Sequence, residues 1–148
     1  MLENVPRVKR IQPKTVVNWQ KRDELMCGQV VTVAQQIKNA PGKPKRVTFF
    51  AMNREIRARM NLYIDPGKTP LTRLALQDVI ETREQFTLRR IHYVAKCFAA
   101  DSTAPSRSDF LRAAGINPQR KMTESIMGAI HGALAGISCA AENRVHLL

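Results

Sequence analysis

Arg46-Val47-Thr48-Phe49-Phe50-Ala51-Met52-Asn53 is a short apolar run between the chain break Ala40-Pro41-Gly42-Lys43-Pro44 and the basic segment Arg54-Glu55-Ile56-Arg57. Valine, threonine and two phenylalanines suit a pleated strand, and Asn53 suits the cap of a helix in which Ile56 and Met60 lie one turn apart. The simplest reading is a strand over Val47 to Met52 followed by a helix. From Trp19 to Ile137 the rest of the pattern is helical, so these residues decide whether the body of the chain carries a strand.

Upstream, Leu25, Met26, Val30, Val33, Ala34 and Ile37 recur at helical spacing and predict a helix from about Trp19 to Lys38. The prolines and glycine of 40–44 end it and place a sub-boundary at 40–45. Downstream, Asp65-Pro66-Gly67 marks a turn, and Thr69-Pro70 sets a capping hydroxyl before a proline at the first helical position. A helix from Pro70 to about Phe86 follows, with Leu71, Leu74, Ala75, Val79 and Phe86 broadly on one face. Another is expected over Thr87 to Ala100, burying Ile91, Val94, Ala95 and Phe98. Ser106 and Asp109 have the spacing of a capping-box variant, Gly115 stops the short helix they open, and Asn117-Pro118 enforces a turn. The last helix runs from Thr123 to about Ile137 and buries Ile126, Ile130, Ala133, Leu134 and Ile137; Ala140 to Leu148 forms a short strand or frays. The expected fold class is mostly α: a single helical domain over 15–148 with at most one or two short strands, preceded by a flexible basic arm over 1–14.

The charge is uneven. Lys and Arg number 24 against 12 Asp and Glu. Between Lys43 and Met60 stand Lys43, Lys45, Arg46, Arg54, Arg57 and Arg59 against Glu55 alone. From Thr87 to Met122 stand Arg89, Arg90, Lys96, Arg107, Arg112, Arg120 and Lys121 against Asp101 and Asp109. Asn61 to Phe86 and Thr123 to Leu148 are each slightly acidic. Concentrated positive charge attracts a polyanion and gains free energy from released counterions. Nucleic acid is thus the expected partner, with DNA ahead of RNA by a small margin. The expected phosphate contacts are Lys43, Lys45, Arg46, Arg54, Arg57, Arg89, Arg90, Arg107, Arg112, Arg120 and Lys121, and the arm adds Lys9 and Arg10.

Two layouts could read nucleic acid. Arg46 to Phe86, as strand, helix, tight turn and longer helix, resembles the plan of ribbon-helix-helix proteins, which implies Arg46, Thr48 and Phe50 facing a major groove. Arg107 to Ile137 offers a helix-turn-helix alternative, with Arg120 and Lys121 leading into its second helix. That second helix also carries Gly128, Gly132 and Gly136 every four residues, a stripe suited to a tight crossing within the chain or to self-association.

Other classes find little support. His92, His131 and His146 lack metal-ligand spacing, and the three cysteines Cys27, Cys97 and Cys139 form no C-x-x-C pair, so neither a metal site nor a disulfide framework is expected. Neither Gly42-Lys43 nor Gly67-Lys68 has the phosphate-loop frame. Asp78, Glu81 and Glu84 are taken as one solvated face of the 70–86 helix, or as a dock for a basic neighbour. No nucleophile has a base placed beside it, so no enzyme, cofactor or catalytic residue is expected. The N-terminus has no apolar core of a secretory signal, and Ile126 to Ala141 is too short to span a bilayer, which points to the cytoplasm. The leading expectation is a small DNA-binding regulator or accessory factor of a mobile element. The alternatives are a helical subunit of a nucleoprotein assembly that contacts the backbone without base readout, and a protein-interaction adaptor.

Overall fold

The computed structural model describes residues 16–57, 62 and 64–145, with side chains as far as residue 139. Six helices follow in order: α1 (Trp19–Asn39), α2 (Phe49–Arg57), α3 (Pro70–Val79), α4 (Arg83–Ala100), α5 (Arg107–Ala114) and α6 (Glu124–Val145). The fold is mostly α, and no strand occurs among the described residues. The arm over 1–14, with Lys9 and Arg10, lies outside the described residues, as do Arg59 and Met60.

The first three helices share one core. Val30, Val33 and Ala34 of α1 pack with Met52 and Ile56 of α2 and with Ala75 and Leu76 of α3, and Val47 joins them. Burying a side chain of this size removes about 1.5–3 kcal/mol of unfavourable apolar hydration, which outweighs the modest helix propensity of the valines.

The expected strand is a helix. Thr48 caps it, its hydroxyl accepting from Ala51 N at 3.2 Å and its carbonyl from Met52 N at 2.9 Å. Met52 and Ile56, one turn apart, then face α1 together, so tertiary burial overrides the β-preference of Val47 to Phe50. Asn53 therefore sits inside α2 rather than capping it. Without a strand there is no ribbon for Arg46, Thr48 and Phe50, and the ribbon-helix-helix layout falls.

Thr69 does not cap α3 as expected. Its hydroxyl is spent on the preceding turn, accepting from Asp65 N at 2.9 Å and donating to Asp65 O at 3.0 Å. The cap comes from α1 instead. Asp23, only 3% exposed, accepts from Leu71 N at 2.9 Å, Thr72 N at 2.8 Å and the Thr72 hydroxyl at 2.6 Å. Burial pushes its carboxyl upward, but these bonds outweigh that and hold it below its ordinary value.

The helix expected over 70–86 stops at Val79. Ile80 turns extended, and Thr82 opens α4 with a capping box: its hydroxyl accepts from Gln85 N at 3.1 Å, and Gln85 Oε1 accepts from Thr82 N at 2.9 Å. Asp78, Glu81 and Glu84 are thus distributed over a helix, a connection and a second helix.

The last three helices form a second core. Ile91 and Val94 of α4, Phe110, Leu111 and Ala114 of α5, and Ile130 and Ile137 of α6 are buried together. Ser106 caps α5 as expected, and Gly115 ends it at φ +62°, a left-handed turn that glycine adopts without cost. α6 continues helically past Ile137 to Val145, so the strand or fraying expected from Ala140 is not found through that point; 146–148 lie outside the described residues.

The two cores meet at Glu81. Its Oε2 accepts from Val47 N at 2.8 Å, while its own N–H donates to Val47 O at 3.0 Å. Arg89 of α4 clamps the carboxylate, Nε to Oε1 and Nη2 to Oε2, both at 2.8 Å. Arg89 Nη2 also reaches Lys45 O at 2.6 Å, and Arg46 donates twice to Glu81 O, at 3.0 and 2.8 Å. Burial pushes Glu81 upward, yet Arg89 and the Val47 amide more than reverse this and hold it below its ordinary value.

Candidate nucleic-acid interface

The latch at Glu81 brings the two basic segments of the sequence together. Through it the connector before α2 lies against α4, so Lys43 and Arg90, 47 positions apart in the chain, line one cavity of about 340 Å³. A second cavity of about 470 Å³ lies where α4 begins, against the connection from Gly115 to Thr123. Arg83, Arg120 and Lys121 line it, together with Glu84.

One face of α4 joins them. Arg83 and Thr87 line the second cavity; Arg90, Val94, Cys97 and Asp101 line the first. These positions recur at steps of three and four, so they form a single stripe along the helix. Arg90 stands between the two cavities. Its guanidinium lies 5.4 Å from the Phe86 ring centre and directly against Gly115, where no Cβ intervenes. Glycine at 115 therefore serves both the turn and the seating of Arg90. The two arginines of the stripe, Arg83 and Arg90, stand about 10 Å apart along the helix, roughly three nucleotides of one strand at duplex spacing, and the stripe ends on the Asp101 carboxylate.

The other expected contacts are placed differently. Arg46 and Arg89 are half-buried in the latch, and their guanidiniums are occupied by Glu81 and Lys45. Lys45 and Arg54 line a smaller hollow of about 220 Å³ between α1 and α2, where Arg54 also pairs with Glu55 at 3.4 Å. Arg57 is exposed at the end of α2. Arg107 on α5 meets His131 on α6 at 3.2 Å, and Arg112 pairs with Asp109 at 3.6 Å; both arginines are exposed. The eleven expected contacts among the described residues thus do not form one surface. Lys43, Arg90, Arg120 and Lys121 converge along α4 and are joined by Arg83, which the sequence reading missed. Thr82-x-x-Gln85 is the signal that could have found it, because starting α4 there sets Arg83, Thr87 and Arg90 on one face.

Some acidic residues are turned inward or used locally, while Glu24, Asp78, Asp101 and Glu124 stay exposed. Asp23 and Glu81 are buried, Asp65 accepts from Gly67 N and Lys68 N within its turn, and Glu84 accepts from the Thr123 hydroxyl at 2.6 Å. Among the described residues the ion pairs are Arg54–Glu55, Arg89–Glu81 and Arg112–Asp109.

The helix-turn-helix alternative has its helices at 107–114 and 124–145, but the connection between them runs from Gly115 to Thr123, and α6 carries few charged groups along its described face. It offers no row of polar side chains to base edges. The glycine stripe also differs from a tight intrachain crossing: a Cβ at Gly128, Gly132 or Gly136 would meet nothing within 4 Å. Gly132 and Gly136 border only a shallow hollow against Ala95 and Ala99 of α4.

Among the described residues no group of three or more His, Cys, Asp or Glu could hold a metal ion, and no helix is long and apolar enough to cross a membrane. No family model, curated protein or solved structure matches the chain.

Proposed function

We propose that this chain is a non-enzymatic nucleic-acid-binding protein that grips backbone phosphates along one face of α4. The observation that carries the reading is the convergence of Lys43, Arg83, Arg90, Arg120 and Lys121 from three separate segments onto that face, while the nearest buried carboxylate is neutralised by Arg89. Cations arranged in line meet phosphates without reading sequence. The absence of a strand ribbon among the described residues, and of a polar recognition face on α6, favours backbone contact over base readout. This supports an accessory or nucleoprotein component ahead of a sequence-specific regulator. DNA keeps a small margin over RNA. The open stripe at Gly128, Gly132 and Gly136 supports self-association as the way successive copies meet on a strand.

The test is titration with random duplex DNA, single-stranded DNA and RNA between about 50 and 200 mM salt. Affinity should fall by orders of magnitude over that range. Arg120→Ala and Lys121→Ala should each lower the salt slope by about one while leaving the specificity ratio near unity. A flat salt response, or no binding at the lowest salt, refutes the reading. A large preference for one duplex sequence refutes the backbone-only form of it.

A further inference from the structure

The cavity between the connector and α4 has a chemistry that phosphate gripping does not use. Val94 and Phe98 of α4, Pro44 of the connector and Ala113 of α5 give it apolar walls. Phe98 is itself held by Phe110, ring centres 6.1 Å apart, so that wall is fixed by the second core. Tyr93 adds an aromatic surface with a hydroxyl. Its hydroxyl is hydrogen-bonded with Cys97 one turn on, which raises the phenol above its ordinary value. Two cations, Lys43 and Arg90, stand on the wall, and Asp101 contributes a carboxylate where α4 ends.

Apolar walls with a few convergent polar groups are the composition of a small-ligand site, and about 340 Å³ lies at the small end of the usual range of roughly 300–1,000 Å³. The ligand must carry a flat apolar body, an anionic group for Lys43 and Arg90, and a hydrogen-bond donor for Asp101. A nucleotide has all three: a base, a phosphate and, on adenine, cytosine and guanine, an exocyclic amine. The space admits one base with its sugar, not a base pair.

We infer that this cavity binds a single unpaired nucleotide, its base against Val94, Phe98 and Tyr93 and its phosphate between Lys43 and Arg90. Arg90 is common to the cavity and to the phosphate track, so a base can enter while the strand stays on α4. In its polymer form the inference rests on the proposed function; as a free-nucleotide site it stands alone. It adds a preference that phosphate contacts cannot give: strands with unpaired bases over duplex, and amine-bearing bases over thymine and uracil.

The experiment has two arms, using the full chain. In the first, AMP is titrated and the backbone amides of 93–98 are followed by NMR, for wild type and for Ala113→Phe. Ala113 is exposed on α5, so the larger ring fills the cavity mouth without removing a cation or a core group. In the second, an oligoadenylate DNA strand, the same strand carrying only abasic sugars, and a blunt duplex are titrated at one salt concentration. The oligoadenylate should bind about tenfold tighter than the abasic strand, and Ala113→Phe should bring that ratio down to near one. Equal binding of adenylate and abasic strands, with no AMP shifts that Ala113→Phe removes, overturns the inference and leaves the phosphate reading intact. AMP binding that Ala113→Phe blocks, without binding of any polymer at low salt, upholds the pocket as a free-nucleotide site and overturns the proposed function.

Discussion

Replacing Glu81 by glutamine removes one negative charge from the point where the two cores meet. The carboxylate is 7% exposed and receives two bonds from Arg89 and one from the Val47 amide; glutamine keeps one acceptor oxygen and turns a donor toward other donors. Breaking a buried pair by removing one partner costs about 3–5 kcal/mol. Arg89 is 24% exposed and keeps the Lys45 carbonyl, so the expected loss is about 2–3 kcal/mol. For a chain of this size that lowers Tm by roughly 5–10 °C. The carboxyl is held below its ordinary value when folded, so its stabilisation is complete above the unfolded value near pH ~4.3 and fades as pH falls through the folded one. The gap between wild type and Glu81→Gln should therefore be widest at neutral pH and close in acid. Asp23 titrates alike in both proteins and cancels. Urea unfolding followed by circular dichroism at several pH values measures this, and a second transition in the variant would report uncoupled cores. A variant within about 0.5 kcal/mol of wild type, with the same acid limb, refutes the assignment of Glu81 as the latch.

Asp23→Asn should cost about 1–3 kcal/mol, because an amide nitrogen then faces the start of α3, and hydrogen exchange should show early loss of protection at Leu71 and Thr72. Gly115→Ala should destabilise by about 1–2 kcal/mol through its left-handed φ and, by displacing the Arg90 guanidinium, should also reduce the salt slope of nucleic-acid binding by about one. Gly128→Ala should stabilise the monomer by about 0.5–1 kcal/mol, since its Cβ enters open space on a helix. Gly132→Leu should weaken self-association in sedimentation experiments while leaving the monomer folded.

Helix boundaries were legible where the signal was local and failed where a distant side chain supplied it. Ser106, Gly115 and the proline break at 40–44 act on their own neighbours, so they mark α1 and α5 correctly. Thr69-Pro70 looks like a self-sufficient cap, but the carboxylate that serves α3 comes from Asp23, far back in α1. Val47 to Met52 reads as strand because β-propensity is a property of the residues, whereas the choice of helix follows from Met52 and Ile56 meeting α1. The end of α3 at Val79 lacks glycine or proline, and only the capping box at Thr82 announces that a new helix begins. That one missed boundary had functional weight. A continuous 70–86 helix places Arg83 in the wrong phase relative to Arg90 and makes Glu81 a solvated acid; a helix opening at Thr82 aligns Arg83, Thr87 and Arg90 and leaves Glu81 in the connection, free to turn inward. Charge counting found the basic segments but could not divide their cations between latch and surface, because Arg89 and Arg90 are neighbours in sequence with opposite assignments. The 100° step between them on a helix sends one guanidinium to Glu81 and the other to Gly115. The candidate site therefore depends on helix phase as much as on composition: a one-residue shift of α4 that put Arg90 against Glu81 would put Ile91 where Arg90 meets Gly115, keeping a latch and losing the phosphate contact.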